Sequence, residues 1–352
     1  MKDHISLDKI QTKHSELIYE NPINKLPLLI LLLNNKCNSR CITCSYWIKE
    51  DKKEIPINNI ENWIKDWYEL GVKRIVLTGG EPLIHSEIIN ICKILVDSGF
   101  EITILTNGLL LEKYAHQIAK FCKNYIISLN GPELIHNNIC NIKNAFKKLK
   151  SGVEAIKIQD NNIKITGRCT VQKENFMYMR KVVNTSLILG LNRISFLAAD
   201  ISSTAFNRNN YTLNDESISS IILNPDEIKL LEDEILSLET DYIDFFKIGY
   251  IVETPDLLRK KILNYYKAII NQGEFSQIEC NCPWVSAVIN FDLDVLPCFF
   301  QASMGSLNSE PNLSKIINSN NAVSWREYFS VQENTICQRC VCPMTFPFYS
   351  AK

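Results

Sequence analysis

The sequence predicts an α/β protein, an open six-stranded partial barrel of parallel strands followed by a small cysteine-rich domain. Three observations lead there. Short β-rich runs recur roughly every 20–40 residues, with amphipathic helix-length segments between them. Strand–helix alternation of that kind implies a parallel sheet with right-handed crossovers. The thirteen cysteines are unevenly spread, with three near the N-terminus and six between Cys280 and Cys342.

The first strand is Leu28–Leu33, inside the apolar run LPLLILLL that begins at Leu26. A strand buried on both faces reads this way, and the run is far short of the ~20 residues that cross a bilayer. The next strands are Lys73–Thr78, Glu101–Thr106, Tyr125–Leu129, Lys164–Val171 and Arg193–Ala198. Between them, Ile57–Leu70 has helical period, with Ile60, Trp63, Ile64 and Trp67 on one face. Further helices are expected at Ser86–Ser98, Leu111–Cys122, Asn141–Ile156 and Phe176–Leu189, and Gly71, Gly99 and Gly190 follow helices where a C-terminal cap favours glycine. From about Asn207 the alternation stops. Pro225–Leu238 and Thr254–Ile270 read as helices, the first opened by Asn224-Pro225. The loop-rich segment from Cys280 has too little apolar residue to build a core and is expected to need a metal. The expected organisation is an N-terminal extension (1–25), the barrel (26–206), a helical bridge (207–278) and the cysteine-rich domain (279–352).

With 38 basic and 39 acidic residues the net charge is −1, so no global field attracts nucleic acid. The first twenty residues mix charges and lack the apolar centre of a signal peptide, which predicts a cytoplasmic protein with no membrane association. Many cysteines in a chain without an export signal argue for metal rather than disulfides. The isolated Cys92, Cys122, Cys140 and Cys169 read as small buried hydrophobes.

The N-terminal run CNSRCITC sets Cys37, Cys41 and Cys44 in a C-x3-C-x2-C spacing just beyond the first strand. Three thiolates are one fewer than an iron–sulfur cubane takes, which leaves one iron open. A zinc site is the alternative, but the next histidine is as distant as His85. The remaining polar motifs also follow strands: Gly79-Gly80-Glu81, Thr106-Asn107-Gly108 and Ser128-Leu129-Asn130-Gly131. Reactive sites of parallel α/β folds gather at those strand ends.

Taken in order, CNSRCITC, TGGEPL, TNG and SLNGP resemble the radical S-adenosylmethionine (SAM) enzymes over roughly residues 26–200. The resemblance implies that Cys37, Cys41 and Cys44 are catalytic, holding a [4Fe–4S] cluster whose fourth iron takes the amino and carboxylate groups of SAM. Reductive cleavage of SAM then yields a 5′-deoxyadenosyl radical that abstracts a substrate hydrogen. The resemblance further implies SAM contacts from Gly79, Gly80, Glu81, Asn107 and Ser128, and from Asn130, where an aspartate is frequent in the family. Thr43 stands where the family often has an aromatic residue beside the adenine, and Tyr46 or Trp47 can supply that ring. Arg168, on the fifth strand, is either a partner for the SAM carboxylate or half of a rim ion pair. Asp200, Ser202, Ser203 and Arg208 leave the sixth strand as candidate substrate groups or as solvated loop.

Cys282, Cys298, Cys337 and Cys340 look like the "twitch" form of the SPASM auxiliary domain, which implies a second [4Fe–4S] cluster, with Cys280 and Cys342 spare. A structural zinc ribbon needs the same four thiolates. Where the family has a glycine before the second cysteine, Asp294 lies near that place. The expected function is oxidation or rearrangement of a small-molecule or sugar-type substrate. The alternatives are a peptide maturase acting on a ribosomal peptide and a non-catalytic zinc-binding adaptor. Only about 25 residues precede the first strand, too few for a leader-peptide-binding domain, which favours the small molecule. A flavodoxin- or ferredoxin-type electron donor is the implied partner.

Overall fold

The computed structural model describes residues 20–48, 50–208 and 215–346; most of the expected extension 1–25 lies outside them. Six strands run parallel in chain order: β1 (Leu28–Leu32), β2 (Arg74–Thr78), β3 (Glu101–Thr106), β4 (Asn124–Ser128), β5 (Lys164–Val171) and β6 (Arg193–Ala198). Each is joined to the next through helix: α1 (Ile57–Glu69), α2 (Ile88–Asp97), α3 (Leu111–Ile118), α4 (Glu133–Cys140), α5 (Ala145–Gln159) and α6 (Met179–Ile188).

The register assigns two unlike faces to this sheet. Leu29, Leu31, Ile75, Leu77, Ile102, Ile104, Tyr125, Ile127, Ile165, Cys169, Ile194 and Phe196 alternate on one face and are buried beneath the helices. On α1 the expected stripe is realised, with Ile60, Trp63 and Trp67 buried and Ile64 packed at its edge. The opposite face carries Val76, Leu105, Ile126, Ser128, Thr166, Arg168, Thr170 and Leu197, all only half-buried. A half-open, partly polar concave face is where a parallel α/β sheet can receive a ligand.

Gly71, Gly99 and Gly190 adopt φ of 72°, 88° and 68° after their helices, the left-handed cap that glycine takes without strain. The expected helix Asn141–Ile156 starts instead at Ala145 as α5, after α4 has ended at Cys140. Asn141 and Asn144 lie between them at φ of 49° and 61°, and asparagine tolerates that region better than other side chains. Beyond β6 come α7 (Asp215–Ser219) and α8 (Pro225–Asp241), the latter opened by Asn224, whose Oδ1 accepts from the Asp226 and Glu227 backbones. The expected helix Thr254–Ile270 is divided by a π-helical turn at Arg259–Leu263.

The cysteine-rich region departs most from expectation. β7 (Ser286–Ile289) pairs in parallel with β1 along Leu28–Leu31, and β8 (Asp294–Leu296) and β9 (Gly305–Ser306) continue the same sheet in antiparallel fashion. Among the described residues the sheet therefore has nine strands, with the C-terminal hairpin covering what would be the open edge of β1. No described helix is long and apolar enough to cross a membrane.

Candidate metal and cofactor site

The loop beyond β1 holds Cys37, Cys41 and Cys44, all half-buried. It is secured by backbone against backbone. Gly80 N–H donates to the Asn34 carbonyl at 2.8 Å, Glu81 N–H donates to the Lys36 carbonyl at 2.7 Å, and Asn34 Nδ2 donates back to the Glu81 carbonyl at 3.0 Å. A β-carbon on Gly80 would lie 2.1 Å from the Lys36 carbonyl oxygen, and one on Gly79 (φ 129°) 2.5 Å from that of Asn34. The two glycines thus admit the segment that leads into Cys37.

Glu81 is fully buried. Its Oε1 accepts from Leu83 N–H at 3.1 Å and from the Thr106 hydroxyl at 2.7 Å, and its Oε2 accepts from Asn107 N–H at 2.8 Å. Burial pushes its pKa up to about 7, against the opposing pull of those donors. Its carboxylate is therefore turned to the β3 loop, and that loop in turn reaches the cysteines. Asn107 Nδ2 donates to Asn38 Oδ1 at 2.7 Å and to Cys37 Sγ at 3.8 Å, while Ser39 N–H donates to Cys37 Sγ at 3.4 Å.

Burial raises the thiol pKa of Cys37, and that of Cys44 to about 12; neighbouring cysteines push both the same way, and Arg208 opposes this at Cys44. Among the described residues no three His, Cys, Asp or Glu groups converge as for a single metal ion. The donor set itself is three soft thiols with hydrogen-bond donors already aimed at sulfur, which fits an iron–sulfur cluster. On the half-open face, Ser128 lies in register with Arg168. Arg168 Nε is buried without a hydrogen-bond partner, and no ion pair to Arg168 occurs among the described residues. That orphaned donor fits the carboxylate of a ligand such as SAM.

The other expected residues also make contacts within the chain. Asn130 is buried and clamps the next strand, its Oδ1 accepting from Thr170 N–H at 3.1 Å. Tyr46 is buried edge-on against Phe291 of the C-terminal hairpin (6.2 Å between ring centres), in the same cluster as Cys37 and Cys44. Trp47 Nε1 donates to the Cys41 carbonyl at 3.2 Å, and Thr43 is half-buried in the same loop. Asp200, Ser203 and Arg208 form an internal network. The Asp200–Arg208 pair is 3.0 Å long with both side chains 2% exposed, and the Ser203 hydroxyl donates to Asp200 at 2.6 Å. The Phe206 carbonyl beside this pair accepts from Ser45 N–H at 3.0 Å, and the Phe206 ring packs on Phe299 at 5.1 Å. No polar signal in the sequence distinguishes such an internal pair from a substrate contact.

At the C-terminal end, Cys282, Cys298, Cys337 and Cys340 are joined by Cys280 and Cys342. Cys280 hydrogen-bonds Cys282 and interacts electrostatically with Cys298, Cys337 and Cys340, while Cys342 lies nearer Cys282 and Cys340. Within the first pair Cys282 donates, which holds the Cys280 thiol below its ordinary range. Cys280, expected to be spare, thus interacts with all four of those thiols. The position five residues before Cys298 is Leu293, with φ of 65°. It supplies the left-handed turn between β7 and β8 that a glycine would supply without strain.

A model of the radical SAM superfamily matches residues 31–185, and a model of the SPASM iron–sulfur cluster-binding domain matches 280–341. A probable GTP 3′,8-cyclase of Methanothermobacter marburgensis is 38% identical over 97 residues, 27% of this chain and 32% of that protein. An Fe-coproporphyrin III synthase of Methanosarcina barkeri is 25% identical over 156 residues, 43% of this chain and 39% of that protein. The matches span about a third of these curated relatives. Among solved structures, SuiB of Streptococcus suis bound to its precursor peptide SuiA superposes with a TM-score of 0.61 at 17% identity, over 91% of this chain and 72% of that one. anSMEcpe with bound SAM and a peptide gives 0.63 at 18% identity, over 90% and 86%. These likenesses extend the shared fold through the C-terminal region.

Proposed function

We propose that this chain, a radical SAM protein with a C-terminal SPASM iron–sulfur domain, is an enzyme that abstracts a hydrogen atom from a small-molecule or sugar-type substrate. The observation that carries the reading is the convergence at one end of the sheet. Cys37, Cys41 and Cys44 stand beside Asn107 and the Gly79–Glu81 turn, with the unpartnered Arg168 on the adjoining open face. Cys37, Cys41 and Cys44 would hold a [4Fe–4S] cluster, and Arg168 with Ser128 would hold the carboxylate end of SAM. When bound, cluster and SAM together supply a 5′-deoxyadenosyl radical through reductive cleavage of the sulfonium bond.

The chain's own residues do the rest. Asn107 and the Ser39 backbone orient the Cys37 sulfur. Glu81 ties the β3 loop to the glycine turn. Phe206, Phe299 and Phe300, in edge-to-face contact, shield the cysteine loop from water on the C-terminal side. Cys282, Cys298, Cys337 and Cys340, with Cys280 among them, would hold an auxiliary cluster, which would supply an electron-accepting centre. The thirteen cysteines are all unpaired, which supports a reducing, cytoplasmic setting and a flavodoxin- or ferredoxin-type donor.

The printed functions of the curated relatives, GTP cyclisation and Fe-coproporphyrin synthesis, support a small-molecule substrate. The peptide-bound neighbours favour a second reading, maturation of a ribosomal peptide. Anaerobic reconstitution followed by iron, sulfide and 5′-deoxyadenosine assays tests the enzyme reading. A protein that takes zinc and never cleaves SAM is an adaptor instead. Stimulation of 5′-deoxyadenosine formation by nucleotides and sugars, but not by peptides, is the result expected of the small-molecule reading.

A further inference from the structure

Gln301 follows Cys298 by three residues, just beyond β8, and Asn334 precedes Cys337 by the same interval. Both are anchored through the backbone. Gln301 N–H donates to the Cys298 carbonyl at 3.4 Å, and Asn334 N–H donates to the Ser330 carbonyl at 2.9 Å. Asn334 Oδ1 caps the short helix Thr335–Gln338, accepting from the Ile336 and Cys337 N–H groups, each at 3.1 Å. Between the two residues, Gln301 Nε2 donates to Asn334 Oδ1 at 3.0 Å and to Cys337 Sγ at 3.5 Å, and Gln301 is buried.

The cap fixes the orientation of both amides. The Asn334 atom that meets two backbone N–H groups is its oxygen, so the Gln301 atom that meets that oxygen is its NH2. An amide nitrogen carries two protons; Asn334 takes one, and the other is left for the Cys337 sulfur. Neither proton titrates. Through this bridge the segment that carries Cys298 is tied to the segment that carries Cys337. The N-terminal cysteines are served in the same way, by Asn107 Nδ2 on Cys37 Sγ at 3.8 Å.

We propose that Gln301 is a positioning residue for the auxiliary cluster, its side-chain amide donating to the Cys337 sulfur in the orientation that Asn334 imposes. The inference rests on the reading that Cys337 ligates an iron–sulfur cluster. An N–H donor on a ligating sulfur stabilises the more negative, reduced state and so raises the reduction potential. A higher potential suits a centre that accepts electrons.

The test uses the full chain, reconstituted anaerobically, as wild type and as Gln301→Met, Gln301→Glu and Gln301→His. The first keeps the length without a donor, the second sets another acceptor against Asn334, and the third keeps an N–H donor at similar reach. The readouts are the midpoint potential of the EPR signal that does not change on adding SAM, and the chelator concentration that removes the corresponding iron. Gln301→Met is expected to have a more negative potential and to lose its iron at about 10-fold lower chelator concentration. Gln301→Glu should go further in the same direction, and Gln301→His should recover most of both. Packing alone does not produce that order of potentials. A Gln301→Met protein with the wild-type potential, or with a more positive one, overturns the proposal. Should Gln301→Met and Gln301→Glu take up no C-terminal iron, Gln301→His decides. Restored iron and potential uphold the donor, and iron still absent reduces Gln301 to a packing residue. Wild-type protein whose C-terminal cysteines take zinc and give no such signal overturns the auxiliary-cluster reading itself, whereas an unmoved potential in an iron-loaded variant leaves that reading standing.

Discussion

Gly80 approaches Lys36 so closely that a β-carbon on it would come within 2.1 Å of the Lys36 carbonyl oxygen. The glycine pair therefore shapes the cysteine loop from beneath, through the backbone bonds at residues 34–36. Gly80→Ala is expected to push that segment outward, cost about 1–3 kcal/mol by overpacking, and lower N-terminal iron uptake. Gly99→Ala is the control. Its φ of 88° carries strain, about 1–2 kcal/mol, but nothing lies within 4 Å of the added carbon. Both variants are compared by denaturant unfolding and by iron content; equal iron in the two would refute the role given to Gly80.

Glu81 gives the fold a pH dependence near neutrality. Its pKa of about 7 in the folded chain exceeds the ordinary 4.5, so between those values the folded state binds more protons than the unfolded one. Stability then falls as pH rises through that window and is level above it, by on the order of 3 kcal/mol in all. Glu81→Gln is expected to be less stable at pH 5, since its NH2 group cannot accept the Asn107 N–H, yet to lose this slope. Urea unfolding at pH 5, 6, 7 and 8 measures both effects. A slope that survives in Glu81→Gln would assign the titration to another group.

Much of this was legible in the residues. The six parallel strands and the glycine caps follow from local period and from conformations that only certain residues tolerate, and both act over a few positions. The strand pairing of β7 with β1 was not legible, because SAVI is a four-residue run and its partner lies more than 250 residues earlier. The contact of Tyr46 with Phe291 was hidden for a related reason, since Phe291 belongs to that distant hairpin. Asp200 and Arg208 read as rim polar groups because sequence shows their charge but not that each neutralises the other in the interior.

The Asp200–Arg208 pair makes a prediction of its own. Removing one partner of a buried pair leaves an uncompensated charge, typically 3–5 kcal/mol destabilising. Asp200→Asn is expected to show a loss of that order, partly restored in the double variant Asp200→Asn/Arg208→Met. Arg208 also lowers the Cys44 thiol pKa through its positive charge, so Arg208→Met alone should weaken N-terminal iron binding. Thermal unfolding and chelator titration of the three variants separate the two effects. Single and double variants of equal stability would show that the pair is not coupled.

The C-terminal region is expected to be inseparable from the barrel. β1 is the sequence LLILL, and among the described residues its edge is covered by β7, so a chain ended at residue 278 would present an apolar strand with unpaired backbone groups. The same truncation removes Leu313, whose N–H donates to Asp66 on α1 at 2.6 Å, and Asn318, which exchanges hydrogen bonds with the Ile23 backbone. It also removes Val288 and Phe299, which pack against Leu32, Tyr46, Cys37 and Cys44. Residues 1–278 should therefore aggregate on expression or after refolding, and any soluble fraction should fail to retain N-terminal iron. Replacing only Cys337 by alanine keeps the hairpin and should leave the N-terminal cluster in place. Size-exclusion chromatography with iron analysis distinguishes the two, and a monomeric, iron-retaining 1–278 fragment would show that the β1–β7 pairing is dispensable.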